Sequence, residues 1–108
     1  MDNIDNLIKR IDKFNKDREW DQFHSLSNLS KSISIEAAEL LENFQWSDLN
    51  YDLDNVKEEL ADVMNYCIQM CIKLNLNPID IINSKMDITE KKYPVEKSKG
   101  KSTKYNKL

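Results

Sequence analysis

Gly100 is the only glycine in this 108-residue chain, and Pro78 and Pro94 are its only prolines. Turn-rich β architectures need both residue types at tight corners, so the scarcity points away from them. It also removes the glycine loops that cradle phosphates in Walker-type and dinucleotide-binding sites. Helical periodicity fills the space that is left. Ile4, Leu7, Ile8, Ile11 and Phe14 recur at helical spacing over residues 3–17, with Asp2 as a cap. Leu29, Ile33, Ala37, Leu40, Leu41 and Phe44 stripe a second helix over 28–44. Val56, Leu60, Val63, Met64, Cys67, Cys71 and Leu74 stripe a third over 54–74. Asn77-Pro78 reads as a cap followed by a first-turn proline, opening a fourth helix that stops before Pro94. No stretch alternates as a strand does. The expected class is all-α, an antiparallel four-helix bundle.

The length fits one domain with a core large enough to fold unaided. No run of 18 apolar residues occurs, so no membrane span is expected, and residues 1–9 lack a signal-peptide core, which points to the cytoplasm. Charge is uneven. Lys97, Lys99, Lys101, Lys104 and Lys107 face only Glu96 in residues 95–108, leaving 11 basic and 18 acidic residues in 1–94. An acidic body argues against nucleic-acid binding. The chain is therefore divided into a helical body, 1–95, and a lysine-rich tail, 96–108. That tail is either a solvated, mobile end or a segment that closes over an anionic ligand.

The informative residues are acids beside the apolar stripes. Glu36 lies roughly 60° from Ile33 around helix two and Glu39 roughly 120°, on the same side. Glu59 and Asp62 repeat the arrangement relative to Val56 on helix three. An antiparallel pair with facing stripes keeps matching shoulders on one side, so four carboxylates converge at one rim. Carboxylates that close need a cation unless some bind protons. An all-oxygen set suits Mg²⁺, with Mn²⁺ as a substitute. The plainer alternative is a solvated acidic face on a non-catalytic helical interaction module.

Other features speak less loudly. Cys67 and Cys71, four apart in one stripe with no nearby His, read as core. His24 lies outside the helices, and no Glu-x-x-His occurs, which weighs against a di-iron bundle. Trp20, Phe23 and Trp46 suit either a core or interface role, or base stacking at the mouth of a metal site.

An ordered set of motifs then carries a resemblance. Arg18-Glu19-Trp20-Asp21-Gln22-Phe23-His24 with Asn28-Leu29 comes first. Glu36-Ala37-Ala38-Glu39-Leu40-Leu41-Glu42 and Phe44-Gln45-Trp46 follow. Glu58-Glu59-Leu60-Ala61-Asp62-Val63 with Tyr66, Ser84-Lys85-Met86-Asp87 and Lys92-Tyr93-Pro94-Val95 complete it. The set resembles the MazG-like all-α nucleoside triphosphate pyrophosphohydrolases, and within them the small dCTP pyrophosphatase branch. The resemblance implies an enzyme that hydrolyses (deoxy)nucleoside triphosphates, dCTP-like, to monophosphate and pyrophosphate in nucleotide-pool house-cleaning. It implies Mg²⁺ held by Glu36, Glu39, Glu59 and Asp62, which also carry the catalysis. Trp20, Asp21, Gln22, Phe23, His24, Trp46 and Tyr66 would line the base and sugar pocket, Asn28 would bind substrate from the matching Asn-Leu position, and Lys85, Lys92 and Tyr93 would lie near the phosphates or the closing tail. A homodimer or homotetramer is implied as well. The chain departs from some eukaryotic members at Ile11, where they carry His, and at Thr89, where they carry Asn.

Overall fold

A computed structural model describes residues 3–108, so the expected cap Asp2 lies outside the described residues. The architecture is all-α. The four long helices are α1 (Asn3–Asp17), α2 (Leu26–Glu42), α3 (Leu53–Lys73) and α4 (Pro78–Lys92), and a short α5 (Val95–Ser98) follows. Single 3-10 turns occupy Trp20–Phe23 and Tyr105–Lys107. Among the described residues there is no strand, and no helix is long and apolar enough to cross a membrane.

Local chemistry sets the boundaries. α2 starts two residues before the expected Asn28 because Ser25 caps it, its Oγ accepting the Asn28 N–H at 3.1 Å. The Asn28 side chain donates instead to the Phe23 carbonyl at 2.9 Å, fastening the first 3-10 turn to α2. Asp52 caps α3, accepting from the N–H groups of Asp54 and Asn55, and Asn77 caps α4, accepting from those of Ile79 and Asp80. Caps of this kind contribute about 1 kcal/mol each. Glu19 after α1 and Asn75 after α3 both take left-handed backbone with φ of 56°. The Asn75 N–H closes the last turn of α3 by donating to the Ile72 carbonyl at 3.1 Å.

The chain falls into two compact units, one ending at Asn75 and the other running from Leu76 to Leu108. Within the first, α2 and α3 make the main helix pair and α1 packs on α3. The pair is antiparallel. At one end Asn55 Nδ2 donates to Asn43 Oδ1 at 2.7 Å, joining the exit of α2 to the entrance of α3. Towards the other, Leu29 and Gln69 line one small cleft. Leu29, 1% exposed, and Cys71 are the buried apolar side chains of the first unit's described residues. Leu60, Met64 and Cys67 are exposed although they sit on the α3 stripe. For Cys67 that corrects the expected core placement: the stripe is wider than the helices against it can cover.

Within the second unit, Tyr105 turns back to the end of α4. Its ring meets that of Tyr93 edge-on at 6.0 Å between centroids, and Lys92 Nζ stands 4.5 Å from its centre.

Candidate functional site

The antiparallel register decides what the acids do. Crossing α2 on α3 with Asn43 opposite Asn55 brings the shoulder acids of the two helices level. Oxygens of Glu36, Glu59 and Asp62 lie within 4.8 Å of one another. Glu39 is outside that three-oxygen set, but its carboxyl is near enough to raise the pKa of both Glu36 and Glu59. One oxygen of Glu36 and one of Glu59 are buried with no hydrogen-bond partner. Among the described residues, no Lys or Arg pairs with any of these acids; the ion pairs there are Lys13–Asp17 and Lys16–Asp12 on α1.

Crowded carboxylates without a counter-charge hold their protons. The Glu36 carboxyl is pushed up to about 7, first by its hydrogen bond with Glu39, then by burial and by the charges of Glu39, Asp62 and Glu59. Glu59 is also raised, chiefly by burial and then by Glu39. A divalent cation would replace those protons and satisfy the partnerless oxygens. Oxygen donors alone fit a hard ion.

Beside the acids a cleft of about 490 Å³ opens between α1, the first 3-10 turn and α3. Ile11, Phe14, Trp20 and Ile68 give it apolar walls, Tyr66 lies along it, and Asp62 belongs to both cleft and cluster. Trp20 meets Phe14 edge-to-face at 5.5 Å, and the Arg18 guanidinium covers the Phe14 ring at 3.7 Å. His24 also lines the cleft.

Other residues singled out from the sequence lie elsewhere. Asp21 lines a smaller neighbouring cleft with His24. Gln22 donates to the Glu19 carbonyl at 2.8 Å, which makes it part of the turn's own scaffold. Phe23 is exposed, and Trp46 is 90% exposed on the α2–α3 loop, outside the cleft lining. Lys85, Lys92 and Tyr93 belong to the second unit.

Four polar residues of the cleft belong to no motif singled out from the sequence: Arg10, Asn15, Asn65 and Gln69. A signal existed for Asn15. It continues the row Leu7–Ile11 by one more helical step, a polar residue where the apolar stripe should run. It is 4% exposed.

Comparison with known proteins gives this geometry a context. The sequence model of the MazG-like family matches residues 31–108. The chain is 33% identical to dCTP pyrophosphatase 1 of Mus musculus and 31% identical to that of Homo sapiens. Each match covers 94% of this chain and 65% of the relative. The chain thus spans less than two thirds of the length of these relatives. A crystal structure of a pyrophosphatase from Archaeoglobus fulgidus superposes with a TM-score of 0.77 at 36% identity, covering 87% of this chain and 94% of that one. With the family match running over most of the chain and a solved fold agreeing along nearly its whole length, the chain belongs to the MazG-like family.

Proposed function

We propose that this chain hydrolyses (deoxy)nucleoside triphosphates, dCTP-like, between the α and β phosphates, releasing a monophosphate and pyrophosphate. The observation that carries the reading is the crowded acid group at the edge of an aromatic-walled cleft, in which Glu36 and Glu59 each keep a buried oxygen without a partner. Glu36, Glu39, Glu59 and Asp62 would hold Mg²⁺, or Mn²⁺ in its place. When bound, the ion supplies positive charge for the phosphate oxygens and Lewis acidity toward water. The chain does the rest. A carboxylate of the cluster orients the attacking water and takes its proton. Trp20 and Tyr66 flank the base and sugar and keep bulk water from them, while Asn28 and His24 hold the turn and the cleft mouth. Names of the relatives support a deoxycytidine triphosphate substrate.

The uncovered α3 stripe supports a homodimer or homotetramer, since contiguous exposed apolar surface is a mark of association. Residues 1–95 then form the catalytic body, acting in the cytoplasm.

A nucleotide panel with and without Mg²⁺, scored for monophosphate and pyrophosphate, tests the activity. In water enriched with heavy oxygen, one label should enter one of those two products, and no inorganic phosphate should form. Phosphate as the first product would overturn the reading. Trp20 supplies a second test. An aromatic side chain stacked on a base is worth about 1–3 kcal/mol, so Trp20→Ala should weaken nucleotide binding by roughly 5- to 150-fold. Normal nucleotide binding by a folded Trp20→Ala variant would remove Trp20 from the base site.

A further inference from the structure

The cleft that starts at Asp62 ends, two turns further along α3, at side-chain amides with unspent hydrogen-bonding capacity. Gln69 donates from Nε2 to Asn65 Oδ1 at 2.9 Å, and its own Oε1 is buried with no partner. Asn15, itself buried, donates from Nδ2 to the Ile11 carbonyl at 3.2 Å. A backbone carbonyl only accepts, so that bond fixes which end of Asn15 is nitrogen and which is oxygen. Both amides line the same cleft. Arg10, Trp20, His24 and Tyr66 also line the cleft and can donate, but none of them reaches Gln69 Oε1. A buried acceptor left without a donor is costly, and a ligand that brings one removes the cost.

We propose that Gln69 selects the nucleobase: its Oε1 accepts a hydrogen bond from an exocyclic amino group, and Asn15 Oδ1 takes the second N–H of that group. The inference rests on the cleft being the nucleotide site and goes further by naming the base-reading residue. Spacing supports it. Gln69 follows Asp62 by seven residues, about 10 Å along the helix axis, a span that a sugar and one ring fill when the phosphates lie at the acids. Chemistry sets the choice. An amino group offers two donors to two acceptors. The keto oxygen of a uracil- or hypoxanthine-type base in the same place would set acceptor against acceptor. A site built to hydrogen-bond a substrate group rejects the analogue lacking it far better than an apolar pocket rejects an isostere. Gln69 thus acts on recognition and not on the reacting phosphorus.

The test uses the full chain with Mg²⁺ and two pairs of substrates that exchange amino for keto: dCTP with dUTP, and dATP with dITP. The wild type should favour the amino member of at least one pair by about tenfold or more in kcat/KM. Gln69→Met keeps the shape and removes the acceptor. It should bring that ratio to within about threefold, through loss on the amino substrate. Gln69→Glu keeps an acceptor and gives up the N–H to Asn65, so it should retain the preference. A wild type that treats the pair alike, or favours the keto member, overturns the proposal whether or not the variants fold. So does a folded Gln69→Met with an unchanged ratio. Failure of the hydrolase reading looks different: no triphosphate yields pyrophosphate. In that event, tryptophan fluorescence titration of wild type and variants with dCMP and dUMP makes the same comparison without turnover. Equal affinity of the wild type for the two monophosphates would then overturn the selection by Gln69.

Discussion

Replacing Glu36 by Gln should lower kcat by roughly 100-fold or more and leave the helical circular dichroism intact. Charge stabilisation by a bound metal is worth several kcal/mol, and each 1.36 kcal/mol is tenfold in rate. The bundle itself is held by apolar stripes and caps, so losing one carboxylate should not unfold it. The pH response should change too. Folding raises the Glu36 carboxyl from its ordinary 4.5 to about 7, so the folded chain binds this proton more tightly than the unfolded chain does. The associated stability is complete below the unfolded value and is lost as pH rises through the folded one. Metal-free wild type should therefore lose stability from about pH 5 to above pH 7, and raised Glu59 adds in the same direction. Glu36→Gln should flatten that slope and melt higher than wild type at pH 8 without metal. Thermal melts across pH, beside kinetics at saturating nucleotide, check both parts. Full activity of the variant would remove Glu36 from the metal set.

Leu29→Ala should be the most destabilising single truncation in the first unit. Leu29 is 1% exposed, while most large apolar side chains of the described residues keep much of their surface in water. Truncating a buried leucine removes transfer energy and leaves a cavity, costing about 2–5 kcal/mol. For a domain of this size that lowers the melting temperature by roughly 10–30 °C. Leu49→Ala, at a position 91% exposed, is the control and should move stability by less than about 0.5 kcal/mol. Urea titrations of the two variants measure the contrast. Similar midpoints would show that Leu29 does not anchor the pair.

The helices were legible because their signals are local: apolar periodicity, and a cap such as Asn77 followed by Pro78. The start of α2 was not, since Ser25 and Asn28 are both good capping residues and only the structure shows which hydroxyl or amide meets the free N–H. The acid rim was legible for a different reason. Two i, i+3 pairs on a short antiparallel hairpin meet whenever the stripes face each other. The cleft was harder. Its walls come from α1, the 3-10 turn and α3, and no local pattern announces that Asn15 and Gln69 share it. Cys67 misled because a stripe position specifies burial only if something covers it.

The fixed crossing of α2 on α3 limits where the chain can change length. One residue inserted between Glu36 and Asn43 would turn Glu36 and everything before it by about 100° relative to the junction, carrying the carboxylate away from Glu59 and Asp62. The segment Asp48–Asn50 is different. All three residues are exposed, and lengthening a surface loop costs little closure entropy. Insertions and deletions among related chains should therefore gather in this loop, while the stretch of helix between each acid and its asparagine keeps a constant count.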